Sequence, residues 1–287
     1  MKILITTSTF PASDTDEVPA FVKEQAIALK KHDPDLEILV HAPHNHYSGT
    51  ASGAARSDFY REIRFHYFWP HRLELLAGRG ILPALRAHRL LYLQIPFLVV
   101  FQFLSLWRLA RLEKPDLIYA HWFTPQAITA DLVSKVTGIP FVFTTHASDV
   151  SILAGIPFSR SLVRQVCGRA RRFTAVSDRT AEKLRSIFPA QEWYGQFAAK
   201  LAIIPMGVDV QVPSVAAEVL DRTRTKFALD DRPVLLYLGR LAEKKGVTFL
   251  LAALSLLPGE LRQNLQVVIA GDGQLKRDLQ SQAGSLG

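Results

Sequence analysis

Short runs of apolar, often β-branched residues alternate with longer helical patterns along this chain, and this alternation constrains the fold more than any other feature. The predicted strands of its larger N-terminal part are Lys2–Thr7, Leu36–His41, Arg64–Tyr67, Leu117–Ala120, Phe141–Thr145, Arg172–Val176 and Leu201–Ile204. The predicted helices there are Pro19–Lys31, Pro83–Glu113, Gln126–Thr137, Phe158–Gly168 and Asp178–Phe188. Such alternation is typical of a doubly wound parallel sheet, which binds ligands at the carboxyl ends of its strands. We therefore predict an α/β fold.

A second α/β pattern follows a polar segment that contains Pro213 and the charged run Asp221–Lys226. Its predicted elements are strand Pro233–Leu238, helix Val247–Leu257, strand Leu265–Ala270 and helix Gln274–Ala283. Two strands and two helices are too few to complete a doubly wound sheet. We predict an N-terminal domain of residues 1–209, a linker of residues 210–232 and a partial C-terminal domain of residues 233–287.

The composition narrows the classes of partner. The net charge of +8 indicates a basic surface, which attracts phosphates on nucleotides, anionic lipids or nucleic acids. Zinc-finger spacing and RNA-binding aromatic patterns are absent from the sequence, so we expect no nucleic acid partner. The single cysteine, Cys167, excludes an internal disulfide and fits a cytoplasmic setting. The apolar run at the N-terminus is too short for a signal peptide.

The segment Leu90–Trp107 has no charged residue, although Pro96 interrupts it. Arginines flank it on both sides, at positions 86, 89, 108 and 111. Three interpretations stay open: a core helix pair, a surface element whose arginines meet anionic lipid, or a membrane span. The second would make the protein peripheral on the inner face of the cytoplasmic membrane.

Three strand exits in the N-terminal part carry residues suited to a sugar. The loop Ser8–Pro19 lacks the usual phosphate-binding glycines and is acidic, so it suits a neutral, hydroxyl-rich ligand, or is simply a solvated turn. His121 and Trp122 offer a hydrogen-bond donor and a stacking face, unless they are core residues. His146 and Asp149, three residues apart on a turn, could face one pocket as donor and acceptor.

Two further strand exits lie in the C-terminal part. In Gly239–Gly246, a glycine follows the strand directly. Arg240 carries a planar guanidinium that can form two parallel hydrogen bonds, and Lys245 carries a compact ammonium charge. Two cations at the carboxyl end of a strand suit a diphosphate, including one that leaves during a reaction. The run Gly271-Asp272-Gly273 follows the next strand and strengthens this interpretation.

Together these segments resemble family 4 of the retaining glycosyltransferases, which have the GT-B fold. The matching segments are Phe10-Pro11 with Ala20–Ala26, His121-Trp122, Thr145–Asp149, Ile204–Asp209, Gly239–Gly246 and Gly271–Gly273. The resemblance implies two Rossmann-like domains, the N-terminal one for the acceptor and the C-terminal one for the nucleotide sugar. It implies transfer of a sugar from a nucleotide-diphosphate sugar to a glycan or lipid-linked acceptor, in envelope polysaccharide or glycolipid synthesis.

The strand-exit residues and the resemblance together give candidate roles for single residues; the resemblance implies those of His146, Asp149, Arg240, Lys245, Gly271 and Gly273. The catalytic candidates are His146, Arg240 and Lys245; the donor-binding candidates are Gly239, Arg240, Lys245, Gly271 and Gly273; the acceptor-binding candidates are His121, Trp122, His146 and Asp149. The family generally needs no metal, in agreement with the absence of an Asp-x-Asp motif, so we expect neither a metal nor another cofactor.

Two departures from the family pattern matter. The first loop lacks the usual pair of glycines, and no Glu-x7-Glu element follows Gly273. We therefore expect the chain alone to lack half the donor site and to be inactive. Two alternatives remain: a non-catalytic membrane-associated fragment, or a nucleotide-sugar epimerase or dinucleotide enzyme of similar fold. The latter would need Gly-x-Gly-x-x-Gly after the first strand, which Ser8–Pro19 lacks.

Overall fold

The computed structural model describes residues 1–11, 18–44, 54–77, 81, 84–85, 88–146, 149–150, 153, 159–208, 210 and 214–286. The chain forms two compact units, Met1–Asp209 and Val210–Gly287. Parts of the sequence predictions fall outside the described residues: half of the Ser8–Pro19 loop (positions 12–17), positions 147 and 148 of the third motif, Asp209 at the end of the motif Ile204–Asp209, and the starts of two predicted helices at Pro83 and Phe158.

The first unit consists of strands and helices in near-regular alternation. Its strands are β1 (Lys2–Thr6), β2 (Glu37–Pro43), β3 (Ala54–Arg56), β4 (Arg61–Phe65), β5 (Leu117–His121), β6 (Phe141–Thr145), β7 (Arg172–Ala175) and β8 (Leu201–Ile203). Its helices are α1 (Phe21–His32), α2 (Ile95–Glu113), α3 (Ile128–Thr137), α4 (Ser159–Arg169), α5 (Asp178–Arg185) and α6 (Ala190–Glu192).

All eight strands form one sheet in the order β3–β4–β2–β1–β5–β6–β7–β8. Seven of them pair in parallel, and only β3 runs antiparallel, at the edge beside β4. The predicted parallel α/β sheet is therefore confirmed. Strand β3 was not predicted, because three residues are too few for a periodic signal.

Helices cover both faces of this sheet, so its central strands are mainly apolar, with polar residues near their carboxyl ends. On one face, Phe143 of β6 packs in a core with Leu106 of α2 and Val133 of α3. On the other face, Ile5 of β1 packs with Val22 of α1. Burial on both sides explains why these strands read as continuous apolar runs in the sequence.

The arginine-flanked segment forms a 3₁₀ turn, Arg89–Gln94, that leads into α2. Pro96 lies in the first turn of α2, where its missing N–H costs little. The prediction of one helix over Pro83–Glu113 is wrong, because α2 begins only at Ile95. One stripe of α2 is buried, at Leu98, Gln102, Leu106 and Ala110. Among the described residues, this stretch is the one helix long and apolar enough to cross a membrane, with 28% of its most apolar window buried.

The second unit is smaller. Its elements are α7 (Ala217–Lys226), β9 (Val234–Leu238), α8 (Val247–Ser255), α9 (Gly259–Gln263), β10 (Gln266–Ala270) and α10 (Lys276–Leu286). Strands β9 and β10 pair in parallel, from Val234 opposite Gln266 to Leu238 opposite Ala270. A small core joins them to α8 and α10.

Helix α7 lies within residues 210–232, which the sequence analysis treated as a linker without regular structure. Hydrophobic periodicity did not predict this helix, because every side chain of α7 is exposed and the helix has no apolar stripe. Its residues favour a helix through propensity alone. The hydroxyls of Thr223 and Thr225 also bond back to the carbonyls of Val219 and Asp221, at 2.7 and 2.9 Å.

Phe143 provides a test of this packing. Its ring stacks on Phe173, with centroids 5.2 Å apart, and meets the edge of Phe123 at 5.6 Å. We expect Phe143→Ala to lower the free energy of unfolding of the first unit by about 3–5 kcal/mol, because a buried cavity replaces the ring. All four tryptophans lie in that unit, so tryptophan fluorescence in urea follows its unfolding. The control Phe227→Ala, on the surface of the second unit, should leave this transition unchanged; equal losses would contradict the assignment.

Candidate active site

Parallel pairing places the ends of β5 and β6 side by side. His121 ends β5 and lies opposite Thr144 in the register, and His146 directly follows β6. The two imidazole rings are 5.8 Å apart. Two motifs that are 25 positions apart in the sequence therefore form one cluster at the carboxyl edge of the sheet.

Two large aromatic side chains complete this cluster. The Trp122 ring lies 4.6 Å from the His146 ring, and Phe21 of α1 lies 5.5 Å from Trp122 and 5.2 Å from His146. Trp122 is partly exposed, so its ring offers a flat apolar surface next to an imidazole. Such a pair suits the apolar face and the hydroxyls of a sugar.

The backbone at Trp122 adopts φ +73° and ψ 146°, which residues with a side chain rarely adopt. Such a conformation costs about 1–3 kcal/mol and persists only where neighbouring contacts enforce it. Here the N–H of Trp122 donates to the carbonyl of Thr144 at 3.0 Å, and the N–H of Phe123 donates to Asp149 Oδ2 at 2.6 Å. Strained backbone of this kind is concentrated at functional sites.

Within the chain, Asp149 contacts backbone groups at both strand exits, and its acceptor-binding role stays a prediction. The sequence analysis expected its carboxylate to accept hydrogen bonds from an acceptor sugar. In the structure the side chain is buried, and it accepts from the backbone N–H groups of Phe123 (2.6 Å), His146 (3.3 Å) and Val150 (2.9 Å). Burial raises the pKa of Asp149 to about 6, although these bonds oppose the shift. Its observed contacts connect the exit of β5 to the exit of β6.

Both histidines of the cluster are neutral. Burial lowers the pKa of His146 to about 4. Burial, with a smaller contribution from the charge of His146, lowers the pKa of His121 to about 3. Among the described residues, no hydrogen-bond partner reaches either ring nitrogen of His121 or Nε2 of His146. A buried polar atom without a partner costs about 1–3 kcal/mol, so these nitrogens are candidates to bind a ligand.

A cavity of about 600 Å³ opens beside α1 in the first unit. A chain of polar groups lines it: Gln25 Nε2 donates to the Tyr119 hydroxyl at 3.2 Å, which bonds Thr144 Oγ1 at 2.7 Å, which in turn bonds Thr174 Oγ1 at 2.7 Å. The backbone Ile204–Val208 forms part of the opposite wall. This volume is within the range of small-molecule sites.

The sequence analysis did not identify this polar chain. Tyr119, Thr144 and Thr174 lie on three neighbouring strands, and each alone is an ordinary strand residue. The available signal was period-2 spacing: Tyr119 and His121 are two apart on β5, so their side chains point to the same face of the sheet. Strand order, which the sequence does not state, was needed to bring the three hydroxyls together.

The described end of the first loop contacts the sheet edge. The guanidinium of Arg64, on β4, is buried and donates to the carbonyls of Phe10 (2.9 Å) and Pro43 (3.1 Å). It also forms an ion pair with Glu62. The acidic residues that were expected to select a neutral ligand lie outside the described residues.

In the second unit, Gly239–Gly246 connects β9 to α8. The side chains of Arg240 and Lys245 are exposed, and neither takes part in an ion pair among the described residues. Gly246, with φ +69°, precedes the first turn of α8, whose N-terminal N–H groups have no partners within the helix. Two unpaired cations in the loop that leads to a helix N-terminus are suited to an anion.

The two glycines after β10 are required by backbone packing inside this unit. A Cβ on Gly271 would lie 1.9 Å from the carbonyl oxygen of Gly239, and one on Gly273 would lie 2.3 Å from that of Leu241. The N–H of Leu241 donates to the carbonyl of Asp272 at 2.9 Å across the same contact. Close approach of the two strand exits therefore explains Gly271 and Gly273 without a nucleoside.

Among the described residues, the one group of three side chains that could hold a metal ion is His44, His66 and Glu74. The histidines follow β2 and β4, and Glu74 follows the 3₁₀ turn His71–Leu73. It shares no residue with the cluster at His146 or with the cavity wall.

Comparison with known proteins agrees with this arrangement. Residues 59–212, more than half of the chain, match the sequence model of Glycosyltransferase Family 4, and residues 221–287 match that of Glycosyl transferases group 1. The chain is 27% identical over 169 residues to the putative teichuronic acid biosynthesis glycosyltransferase TuaC of Bacillus subtilis, covering 58% of this chain and 40% of the relative.

A second relative is the GDP-mannose-dependent alpha-(1-6)-phosphatidylinositol monomannoside mannosyltransferase of Mycolicibacterium smegmatis, 30% identical over 186 residues, 63% of this chain and 46% of that protein. This chain thus spans less than half the length of these curated relatives. Among solved structures, HepE of Anabaena in complex with UDP has a TM-score of 0.61 and 16% identity, over 100% of this chain and 66% of the other. On the match to its sequence model, the chain belongs to glycosyltransferase family 4.

Proposed function

We propose that the protein is a retaining glycosyltransferase that moves a sugar from a nucleotide-diphosphate sugar to a glycan or lipid-linked acceptor, in envelope polysaccharide or glycolipid synthesis. The observation that carries this proposal is the neutral, buried His146, whose Nε2 has no partner among the described residues, beside the exposed face of Trp122. Family membership supports the reaction class. The alternatives of an epimerase or a non-catalytic fragment have no comparable support.

On the acceptor side, we assign to His146 a hydrogen bond with a hydroxyl of the bound sugar. A neutral imidazole can donate to, or accept from, a sugar hydroxyl, and with a pKa near 4 it stays neutral at physiological pH. Trp122 provides the stacking surface. Asp149 acts as a positioning residue, because its carboxylate holds the backbone of both His146 and the residue after Trp122. His121 is fully buried in the cluster, with its ring 5.8 Å from that of His146, and we assign it to the acceptor side as well.

On the donor side, we assign the diphosphate to Gly239–Gly246. As the bond between the anomeric carbon and the diphosphate breaks, negative charge accumulates on the leaving group. Arg240 and Lys245, with the N-terminus of α8, would stabilise that charge, which is the task a metal performs in other transferases. The reaction as proposed needs neither a metal nor another cofactor.

The known proteins suggest two candidates for the base of the donor nucleotide, uracil and guanine. HepE was crystallised with UDP and with UDP-glucose, whereas the mycobacterial mannosyltransferase is named as GDP-mannose-dependent. TuaC is named for teichuronic acid biosynthesis, and the mannosyltransferase for a phosphatidylinositol acceptor. These names support envelope polymers and glycolipids as the acceptor classes.

We also propose that the protein binds the inner face of the cytoplasmic membrane through α2 and the turn before it. The exposed residues Leu90, Leu93, Phe97, Phe101 and Leu104 form an apolar stripe opposite the buried one. Leu90 is 81% exposed and Leu93 69%. Arg89, Arg108 and Arg111 are exposed at the two ends of the stripe. Apolar residues between arginines suit an anionic lipid surface, where a lipid-linked acceptor would reside.

The donor assignment predicts how nucleotide binding responds to charge removal. Arg240→Ala/Lys245→Ala should weaken UDP or GDP binding by about 100-fold or more, because two charge-assisted contacts to the diphosphate are lost. Isothermal titration of each nucleotide measures this. The double variant Arg262→Ala/Lys226→Ala removes the same charges from the exposed surface of the same unit and serves as control.

If both double variants lose affinity equally, binding depends on net charge and the assignment of Gly239–Gly246 to the diphosphate is wrong. If neither nucleotide binds the wild-type chain at all, the donor proposal for this chain fails.

The acceptor assignment predicts the effect of removing the imidazole. His146→Ala should lower kcat for sugar transfer by about 10²–10⁴-fold, because the reacting sugar loses a positioned hydrogen-bonding group. Initial rates with UDP-glucose and GDP-mannose over extracted envelope acceptors measure it, in a form of the protein extended to the length of its curated relatives, since we expect the chain alone to be inactive. His32→Ala, at the exposed end of α1, is the control. Equal rates for His146→Ala and wild type would exclude His146 from the reaction.

The membrane proposal predicts binding to anionic vesicles. Leu90→Ser/Leu93→Ser should reduce cosedimentation with phosphatidylglycerol vesicles by about 10-fold or more, since each buried leucine contributes about 1.5–3 kcal/mol. The control Leu132→Ser/Val136→Ser alters two exposed apolar residues of α3. An equal loss in both variants, or no binding of the wild type, would contradict the assignment.

A further inference from the structure

Two histidines stand side by side at the outer part of the carboxyl edge. His44 directly follows β2 and His66 directly follows β4, and the register of these strands ends with Pro43 opposite Phe65. The N–H of His44 continues the pairing by donating to the carbonyl of Phe65 at 2.8 Å. The two imidazole rings are consequently 4.5 Å apart.

Glu74 reaches this pair from the next segment. It follows the 3₁₀ turn His71–Leu73, and its carboxylate is fully buried. Oε2 lies 2.6 Å from His44 Nδ1 and 2.8 Å from His66 Nδ1. Oε1 accepts from the backbone N–H groups of Tyr67, at 2.6 Å, and Phe68, at 3.0 Å.

A fully buried carboxylate needs a compensating positive charge or neutralisation. Two imidazoles direct Nδ1 at the same oxygen, Oε2, and a third, that of His71, lies farther away, with Nδ1 3.7 Å from Oε1. The three donor atoms of His44, His66 and Glu74 lie within 4.8 Å of one another, close enough for one ion to contact all three. Oε1, held by two N–H groups, fixes the orientation of the carboxylate as partners behind a metal ligand do.

We propose that His44, His66 and Glu74 bind a divalent transition metal, with zinc the best match. Two imidazoles and one carboxylate are a common zinc ligand set, whereas magnesium and calcium prefer oxygen ligands alone. In the bound form, the ion replaces the protons between the Nδ1 atoms and Oε2. Tetrahedral ligands about 2.0–2.2 Å from the ion lie about 3.3–3.6 Å from one another, so the Nδ1 atoms and Oε2 would separate by about 0.5–1 Å.

The fourth ligand is water. The side chain of His66 is 27% exposed, so the ion is accessible from that side. His71 stacks on His66 with centroids 3.6 Å apart, but its Nδ1 donates to the carbonyl of Phe68 at 2.9 Å. His71 therefore supports the ring of His66 and is not assigned as a ligand.

The proposed metal site would hold the segment between His66 and Glu74, which contacts α2 next to its apolar stripe. Between His66 and Glu74 lie Phe68, whose ring meets Phe97 of α2 at 5.4 Å, and Trp69, which is 80% exposed. A metal that joins His66 and Glu74 to the end of β2 would hold this segment against the sheet. The inferred role is structural and separate from the metal-independent transfer reaction proposed above.

The test uses the full chain without a histidine tag, freed of metal with EDTA and titrated with Zn²⁺. We expect one zinc per chain by calorimetry and by elemental analysis. His66→Gln keeps a side-chain donor for Glu74 but removes the imidazole. Its affinity for zinc should fall by more than the roughly 10–100-fold that a change behind a metal ligand costs. The control His32→Gln should bind zinc as the wild type does.

Two further measurements on the wild type keep the proposal testable if a variant fails to fold. Co²⁺ should give the intense visible absorption of a four-coordinate site. Zn²⁺ should raise Tm and slow amide hydrogen exchange in residues 66–77, because it binds the folded chain preferentially. Zinc binding that His66→Gln leaves unchanged would overturn the proposal. So would a folded wild type that binds no zinc, the result expected of a purely hydrogen-bonded cluster.

Discussion

The parallel pairing of β5 with β6 determines most of what this molecule can do. Because parallel strands end at the same edge, His121, Trp122 and His146 meet there although their motifs are well separated in the sequence. The carboxylate of Asp149 then bonds to backbone N–H groups at both exits and supports the unusual backbone of Trp122. The geometry of the cluster depends on this pair of strands and on one buried carboxylate.

Much of this architecture could be predicted from the sequence, for physical reasons. Strands buried on both faces leave continuous apolar runs, so β1, β5 and β6 were identified nearly to the residue. His146 was recognisable because a histidine and an aspartate at a strand exit are unusual for a core. Arg240 and Lys245 were selected as candidates because two cations follow a strand exit, although the strand itself, β9, is exposed to half-buried and not the buried strand expected.

The sequence did not reveal which residues from separate segments contact one another. The hydroxyl chain from Tyr119 through Thr144 to Thr174 needs the order of three strands. The partners of Asp149 within the chain are backbone groups, which no side-chain pattern can reveal. Helix α7 has no apolar stripe, so hydrophobic periodicity could not detect it.

The metal ligands proposed above were not predicted for the same reason, since they come from three separate segments at the ends of β2 and β4 and after a 3₁₀ turn.

The two units contribute different types of interaction to the proposed reaction. The first unit offers neutral groups, an aromatic face and a hydroxyl-lined cavity, which suit a sugar. The second offers unpaired cations at a helix N-terminus, which suit a diphosphate.

The central claim is that Gly239–Gly246 holds the diphosphate of a nucleotide sugar. The most direct test is a titration of the ¹⁵N-labelled chain with UDP and with GDP, followed by backbone amide chemical shifts. We predict that the largest changes fall on the amides of Gly239–Gly246 and on those of the first turn of α8. Saturable changes confined to other surfaces, or no changes with either nucleotide, would contradict the account.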